Sequence, residues 1–184
     1  RWQRELGREV TIAVNISAIQ FKRGDLERTV AEALAESGLP PHLLELELTE
    51  STLLNQTESV LSTLRTLRDQ GVRLSIDDFG TGYSSLAYLK RLAVNKLKID
   101  QSFVRNLDGD AEDAAIVRAI IEMAHRLNLR TVAEGVETVE VLQSLRRFAC
   151  DEAQGYYFAR PLPVDEFERF LASWPGLLPG RMAY

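Results

Sequence analysis

Short runs rich in β-branched residues alternate with longer amphipathic stretches along almost the whole chain. The first run, VTIAVNI at 10–16, is typical of a strand. Residues 25–37 then repeat apolar side chains at helical spacing, with Asp25 as a candidate cap and Gly38 as a stop. Further strands are predicted at 43–49, 73–77, 96–99, 131–134 and 153–158, and helices at 58–70, 84–92, 111–127, 138–148 and 164–174. Repeated βα units favour a parallel sheet, either open and doubly wound or closed into a barrel.

The number of these units is smaller than a closed barrel requires. An eight-stranded (β/α)8 barrel normally takes about 250 residues, whereas this sequence has 184 residues and six predicted units. The chain also begins with Arg1, although an initiator methionine is normally removed only before a small residue. We therefore expect further residues upstream of Arg1, which would supply the missing βα units.

The composition excludes several kinds of site. One cysteine and two histidines cannot form a disulfide framework or a cysteine- or histidine-rich metal centre. A net charge of −5 argues against a general nucleic-acid-binding surface. Hydrophobic residues make up 45% and charged residues 27%, as in a globular protein. No apolar run reaches the length of about 18 residues that is typical of a membrane span, so we expect no membrane contact by this domain.

Polar residues stand near the ends of the first five predicted strands and at the start of the sixth. In chain order they are Asn15, Glu47, Glu50, Asp77, Asp78, Lys98, Asp100, Glu134, Glu137 and Gln154. Aliphatic residues flank Asn15, Glu47 and Lys98 on both sides, so strand alternation predicts a common inward face for these three. Because active sites of α/β folds collect at the carboxyl ends of the strands, we expect a site there.

The chemistry of this set indicates divalent cations. Carboxylates without nearby histidine or cysteine are hard oxygen ligands, which suit Mg²⁺ or Mn²⁺. The adjacent Asp77 and Asp78 would let one carboxylate bridge two ions, and such a pair of ions can activate water and neutralise a phosphodiester. Each residue alone also has an ordinary interpretation, as a solvated strand end, a turn or a helix start. The spacing does not separate phosphodiester hydrolysis from the enolising chemistry of enolase-like barrels.

Six segments, taken in order, closely resemble the EAL-domain family of cyclic di-GMP phosphodiesterases. They are VNIS, ELTES, DDFGTGYSSL, LKID, VAEGVE and QGYYFARPLP, and the similarity extends to about Leu171. The resemblance implies a TIM-like (β/α)8 barrel that hydrolyses cyclic di-GMP to linear pGpG with two Mg²⁺ or Mn²⁺ ions. It also implies a cytoplasmic domain and a homodimer. Sensory or diguanylate-cyclase-like domains would precede it in a larger protein, and that protein can be membrane-anchored.

The resemblance assigns metal ligands to positions of this sequence. Asn15, Glu47 and Asp77 match the ligands of one metal ion. Asp78 and Glu134 match those of a second ion, and Asp77 would bridge the two. These five residues carry oxygen donors only, which agrees with the interpretation of the strand ends given above.

The remaining matches assign residues to the attacking water, to a loop beside the site and to the substrate. Lys98 resembles the residue that positions the attacking water, and Asp100 would support it. Glu50 resembles the residue that steadies the loop at 79–85, a segment tied in the family to dimerisation and metal occupancy. Glu137 and Gln154 fall at positions of supporting polar residues. The residues predicted to wall the guanine site are Tyr157, Phe158 and Pro161. Packing in the protein core is an equally good interpretation of these three residues.

One motif departs from the family pattern. The first barrel strand of the family carries Glu-Ala-Leu followed closely by Arg, where the Glu binds metal and the Arg meets a phosphate. Here the triplet that begins at Glu32 comes after VNIS and lies inside the helix predicted at 25–37. Helical spacing accounts for this triplet, so we expect no metal contact from Glu32. Either the first strand lies upstream of Arg1, or the chain is truncated and folds differently or only as an oligomer.

Two functions therefore stay open. The first is an active cyclic di-GMP phosphodiesterase formed by residues 1–184 as an N-terminally incomplete domain with a loose tail at 175–184. The second is a non-catalytic cyclic di-GMP receptor, inactive because the first-strand Glu or Arg is absent. The sequence upstream of Arg1 distinguishes them. Among other residues, we expect His42 and His125 on the surface and Cys150 as a partly buried small residue.

Overall fold

The computed structural model describes residues 9–53, 58–82 and 89–173. Its strands form a six-stranded sheet in chain order, from β1 to β6, with helices between them. The chain divides into two compact units, Arg1–Leu97 and Lys98–Tyr184, and the boundary between them falls inside the fourth strand. Most of the helix predicted at 84–92, and the tail at 175–184, lie outside the described residues.

In the described residues the first unit contains two βα steps, followed by a third strand and the start of a fourth. Its elements are β1 (Ile12–Ile16), α1 (Ala18–Arg23), α2 (Leu26–Ser37), a 3-10 turn (Pro41–Leu43), β2 (Leu44–Thr49), α3 (Glu50–Leu53), α4 (Glu58–Asp69), β3 (Arg73–Phe79) and the start of β4 (Lys96–Ile99). β1 pairs in parallel with β2, and β2 pairs in parallel with β3. The start of β4 follows Asn95, whose N–H donates to the carbonyl of Leu74 at 2.8 Å.

The aliphatic residues of these strands form the core of the first unit. Leu48, Leu74 and Ile76 are almost fully buried. The buried face of α4 consists of Leu61, Leu64 and Leu67, at the spacing that one helical face requires. The predicted division into an aliphatic face and a polar face is therefore present in β2, where Glu45 and Glu47 lie on one side of the sheet. β3 shows the same alternation from Arg73 to Asp77.

Local hydrogen bonds define the ends of the first helices. A capping box starts α1, because the side chains of Ser17 and Gln20 each bond the backbone N–H of the other residue. The predicted stop of α2 at Gly38 is confirmed, since this glycine is left-handed and its N–H donates to Leu34 O. The predicted N-cap of α2 is correct in position but not in hydrogen bonding. Asp25 takes the N-cap position but makes no capping hydrogen bond, and its carboxylate lies 3.8 Å from Arg28.

The second unit continues the alternation. Its elements are the end of β4, α5 (Gln101–Val104), α6 (Ala111–Arg126), β5 (Arg130–Ala133), α7 (Val139–Arg147), β6 (Glu152–Ala153) and α8 (Val164–Ser173). β5 pairs in parallel with β6, and the N–H of Glu134, directly after β5, donates to Ile99 O of β4 at 3.2 Å. Val117, Ile121 and Leu145 form part of the buried core between α6, α7 and the strands.

The last strand is shorter than predicted. The expected strand at 153–158 ends at Ala153, and the chain then turns, with Phe158 N donating to Gly155 O at 3.1 Å. The aromatic residues in this segment favoured a strand by composition, but Gly155 permits the turn that interrupts it. Three helices of four to six residues, α1, α3 and α5, escaped prediction because such short segments show no helical period. None of the helices in the described ranges has the length and hydropathy needed to cross a membrane.

Candidate active site

Three of the predicted metal ligands share one face of the sheet in the first unit. Asn15 of β1 and Glu47 of β2 are direct partners in the parallel register. Glu47 in turn pairs with Ser75 of β3, and Asp77 lies two residues beyond Ser75. Because strand residues alternate between faces, the side chains of Asn15, Glu47 and Asp77 leave the sheet on the same side, near the carboxyl ends of their strands.

Asp78 follows Asp77 directly but does not continue the regular strand geometry. Its φ of 54° lies in the left-handed region, which aspartate tolerates better than most residues. The hydroxyl and N–H of Thr81 both donate to the carbonyl of Asp78, and this closes a turn. Because the strand alternation is broken here, neighbouring carboxylates are no longer forced to opposite faces of the sheet. Uncommon backbone geometry of this kind is often found at functional sites.

Glu50 holds the loop that follows Asp78. This residue is 3% exposed, and its Oε2 accepts the N–H groups of Gly80 and Gly82 at 3.1 and 3.3 Å. A Cβ at position 82 would lie 3.0 Å from Oε1 of Glu50, so glycine permits this close approach. The predicted contact between Glu50 and the loop is therefore present at these two glycines, while residues 83–85 of that loop lie outside the described ranges.

In the second unit, Lys98 is buried and paired. All four residues of β4 are buried, which excludes the ordinary interpretation of Lys98 as a solvated strand end. The Lys98 ammonium lies 2.9 Å from Oε1 of Glu134, and its side chain is 6% exposed. A buried ammonium needs a charged partner, and Glu134 supplies one immediately after β5.

Close backbone contacts hold the loop that carries Glu134. Val136 N donates to Gln154 O, and Tyr157 N donates to Val136 O, each at 3.0 Å. A Cβ at Gly155 would lie 2.2 Å from Val136 O, which no side-chain carbon can tolerate. Gly155 therefore allows the segment after β6 to pack directly on the loop after β5.

Asp100 caps the short helix α5, and Glu137 contacts the residue that follows this helix. Oδ1 of Asp100 caps this helix by accepting the N–H of Ser102 at 2.8 Å, and the Ser102 hydroxyl also bonds it. Glu137 lies 3.4 Å from Arg105, the residue that follows α5, in a solvent-exposed pair. The cap from Asp100 thus fixes the backbone directly after β4, which suits the supporting role expected for it, whereas Glu137 makes only a surface contact.

The residues predicted to wall the guanine site lie after β6. Tyr157 and Phe158 pack edge to face with their ring centroids 5.2 Å apart, and Tyr157 is 43% exposed. Pro161 and the side chain of Gln154 are exposed as well. The exposure of Tyr157 disfavours its alternative interpretation as core packing.

A second aromatic contact in the same segment was not predicted. The guanidinium of Arg160 lies 4.8 Å from the ring centroid of the exposed Tyr156, a cation–π arrangement. The sequence offered one indication of it, an arginine four residues after a tyrosine in an aromatic segment.

Several polar or reactive residues belong to other parts of the fold. Glu32 lies on the exposed side of α2, 3.7 Å from Arg28, and His42 is exposed, as predicted. His125 is also at the surface and bonds Asp151 at 2.9 Å. Cys150 is more buried than expected, and burial raises the pKa of its thiol to about 11. A thiol with this pKa is not a nucleophile near neutral pH.

The donors at the strand ends fit a hard divalent ion. Asn15, Glu47, Asp77 and Glu134 offer amide and carboxylate oxygens, and the two histidines and the cysteine of the sequence stand at other places in the fold. Mg²⁺ and Mn²⁺ prefer such oxygen ligands over nitrogen and sulfur. The donor set therefore agrees with the predicted metals.

Comparison with known proteins identifies close relatives. The EAL domain family matches residues 1–161. The cyclic di-GMP phosphodiesterase NbdA of Pseudomonas aeruginosa is 47% identical over 163 residues, which cover 89% of this chain and 21% of NbdA. The bifunctional diguanylate cyclase/cyclic di-GMP phosphodiesterase MucR of the same organism is 48% identical over 155 residues, which cover 84% of this chain and 23% of MucR. The chain thus spans about a fifth of the length of these curated relatives.

Solved structures share the fold. The EAL domain of Mycobacterium smegmatis DcpA has a TM-score of 0.88 at 40% identity, covering 98% of this chain and 79% of that chain. The MucR phosphodiesterase in complex with c-di-GMP has a TM-score of 0.82 at 48% identity, covering 85% of this chain and 64% of that chain. A manganese/cy-diGMP complex of Klebsiella pneumoniae BlrP1 has a TM-score of 0.79 at 30% identity, with coverages of 87% and 41%. These neighbours confirm the predicted TIM-like α/β fold class, and the chain belongs to the EAL domain family.

Proposed function

We propose that the chain hydrolyses cyclic di-GMP to linear pGpG. The observation that carries the proposal is the ion pair between the buried Lys98 and the half-buried Glu134, whose charged atoms lie 2.9 Å apart at the carboxyl ends of β4 and β5. The names of NbdA and MucR as phosphodiesterases of this dinucleotide support the same substrate and reaction.

The strand-end oxygens would hold two divalent ions, Mg²⁺ or Mn²⁺. Asn15, Glu47 and Asp77 are the proposed ligands of one ion, and Asp78 and Glu134 join Asp77 at the other. The shared face of Asn15, Glu47 and Asp77 supports the first set, and the manganese complex of BlrP1 supports the choice of metal. Bound there, the ions would supply positive charge to the phosphodiester and lower the pKa of water.

Lys98 would hold the attacking water in line with the phosphorus. An ammonium carries donors and no acceptor, so it suits contact with the lone pairs of a water oxygen. Water adds to phosphorus, the bond from phosphorus to the 3′ oxygen breaks, and the released hydroxyl takes a proton. Asp100 would keep the backbone beside Lys98 in place by capping α5, and Glu137 would add a surface contact with Arg105.

The substrate would extend over the loops that follow the strands. Tyr157, Phe158 and Pro161 are proposed to contact a guanine, because exposed aromatic rings offer faces on which bases stack. Gln154 would add a polar contact. Glu50 would set the loop at 79–85, and through that loop metal occupancy and dimerisation.

The domain is proposed to act in the cytoplasm as a homodimer within a larger protein. The combination of cyclase and phosphodiesterase in MucR supports further domains beside an EAL domain. Sensory or diguanylate-cyclase-like domains are the proposed companions.

The test is incubation of the full-length protein with cyclic di-GMP and Mn²⁺, followed by identification of the product. Formation of pGpG that is lost in Lys98→Met and kept in Lys90→Met, a change at an exposed lysine, is the expected result. Tight binding of cyclic di-GMP without any pGpG would favour the receptor over the enzyme. A protein that neither binds nor hydrolyses cyclic di-GMP would contradict the proposal.

A further inference from the structure

A second buried ion pair lies in the first unit, apart from the proposed ligands. The ammonium of Lys96 on β4 is 2.8 Å from Oε2 of Glu45 on β2, and the two side chains are 11% and 5% exposed. Desolvation of two charges is costly, and buried ion pairs are often no more stabilising than apolar residues of similar size. Stability alone therefore does not account for this pair.

The pair joins two strands that are not neighbours. In the sheet order β3 lies between β2 and β4, so the two long side chains meet across β3. Ser75 of β3 lies on the same face of the sheet as Glu45. It is the register partner of Glu47, and Glu47 shares a face with Glu45 because the two are two residues apart in β2. Ser75 is fully buried, and its hydroxyl has no hydrogen-bond partner among the described residues. Its small size leaves room for the pair.

The pair lies two residues before the proposed site along each strand. Glu45 precedes Glu47 by two residues on the same face of β2, and Ser75 precedes Asp77 by two residues on β3. Lys96 likewise precedes Lys98 by two residues on β4. A bond between β2 and β4 at this level restrains how far Glu47 can shift along or away from β3.

We propose that the Glu45–Lys96 ion pair positions Glu47 relative to Asp77, and that divalent-ion affinity at these two carboxylates depends on it. Glu45 and Lys96 act through Glu47 and are positioning residues. The inference rests on the proposed function, since it assigns these carboxylates to a metal.

The test measures Mn²⁺ binding by the full-length protein from the electron paramagnetic resonance signal of free Mn²⁺. The double variant Glu45→Met/Lys96→Met removes both charges and leaves neither group unpaired, so we expect a folded protein by circular dichroism and thermal unfolding. Loss of a residue that orients a metal ligand typically weakens metal binding about 10- to 100-fold, and we expect an increase of that size in the Kd for Mn²⁺.

A surface pair of the same length serves as the control. Arg91 and Glu58 also lie 2.8 Å apart, but their side chains are 56% and 76% exposed. The double variant Glu58→Met/Arg91→Met should keep the wild-type Kd within about twofold, because exposed pairs contribute little.

A second variant covers the case in which the double methionine variant does not fold. Glu45→Asp keeps both charges but withdraws the carboxylate by one methylene, so a positioning role predicts weaker Mn²⁺ binding here too. A folded double variant or Glu45→Asp variant with the wild-type Kd would overturn the inference while leaving the proposed function intact. Wild-type protein that binds no Mn²⁺ would instead overturn the proposed function, and this inference with it.

Discussion

Replacement of Gly155 by alanine should separate two loops that the fold holds in contact. The added Cβ would lie 2.2 Å from the carbonyl oxygen and 2.4 Å from the nitrogen of Val136. Real Cβ atoms essentially never come closer than 3.0 Å to such atoms, and both partners are backbone, so the chain itself must move. The movement acts on the loop that begins at Glu134.

The size of the effect follows from the bonds that this movement breaks. Val136 exchanges hydrogen bonds with Gln154 and Tyr157, and the net contribution of each such bond is about 1 kcal/mol. We therefore expect Gly155→Ala to lower the free energy of unfolding by about 2 kcal/mol. Because a displacement of about 1 Å at a reacting group can cost about 100-fold in rate, pGpG formation should fall by about that factor.

Urea unfolding and turnover, both measured well below the unfolding temperature, would test this expectation. Gly109→Ala is the matched control, since the nearest atom to a Cβ there is 3.9 Å away. That variant should stay within about 0.5 kcal/mol of the wild type and keep its turnover. Wild-type stability and turnover in Gly155→Ala would refute the reasoning.

Four other substitutions test separate parts of the structure. Glu134→Ala should abolish Mn²⁺-dependent pGpG formation with an unchanged circular dichroism spectrum, and full activity would remove Glu134 from the metal set. Glu32→Ala should leave turnover unchanged, because Glu32 is on the exposed face of α2; lost turnover with intact helix content would contradict this. Glu50→Ala should lower the free energy of unfolding by about 1–3 kcal/mol, because two loop N–H groups lose their acceptor. Burial would raise the pKa of Asp151, but hydrogen bonds from His125 and Thr131 outweigh it and lower the pKa below 3.8. The carboxylate therefore stabilises the fold above pH 3.8 and loses this effect as the pH falls through its lowered pKa, so the urea midpoints of wild type and Asp151→Asn should differ at pH 7 and converge in acid.

Residue periodicity predicted several strands and helices well. β4 has the predicted bounds, and α4 begins at the predicted Glu58, because alternation or helical spacing extends over the whole of each segment. Periodicity failed where the structure depends on single contacts. The segment after Ala153 has the composition of a strand, yet it turns because the Val136 peptide takes its hydrogen bonds.

The candidate site was predictable as a set of residue types but not as a set of contacts. Strand-end positions and family motifs named Lys98 and Glu134, while their 2.9 Å contact emerges only from the fold. The pair of Glu45 and Lys96 is not predictable from the sequence for the same reason, since 51 positions separate the two residues and each has the pattern of an ordinary polar strand residue. Partners this distant in the chain are set by topology, which local patterns do not encode.

The buried thiol of Cys150 makes the chain well suited to site-directed labelling. Maleimides and methanethiosulfonates react with exposed thiolates, and this sulfur is both enclosed and held protonated at neutral pH. The folded domain should therefore remain unlabelled by these reagents. A cysteine introduced at an exposed position such as Thr81 or Tyr156 would then take up a spin label or fluorophore selectively, without prior removal of the native one.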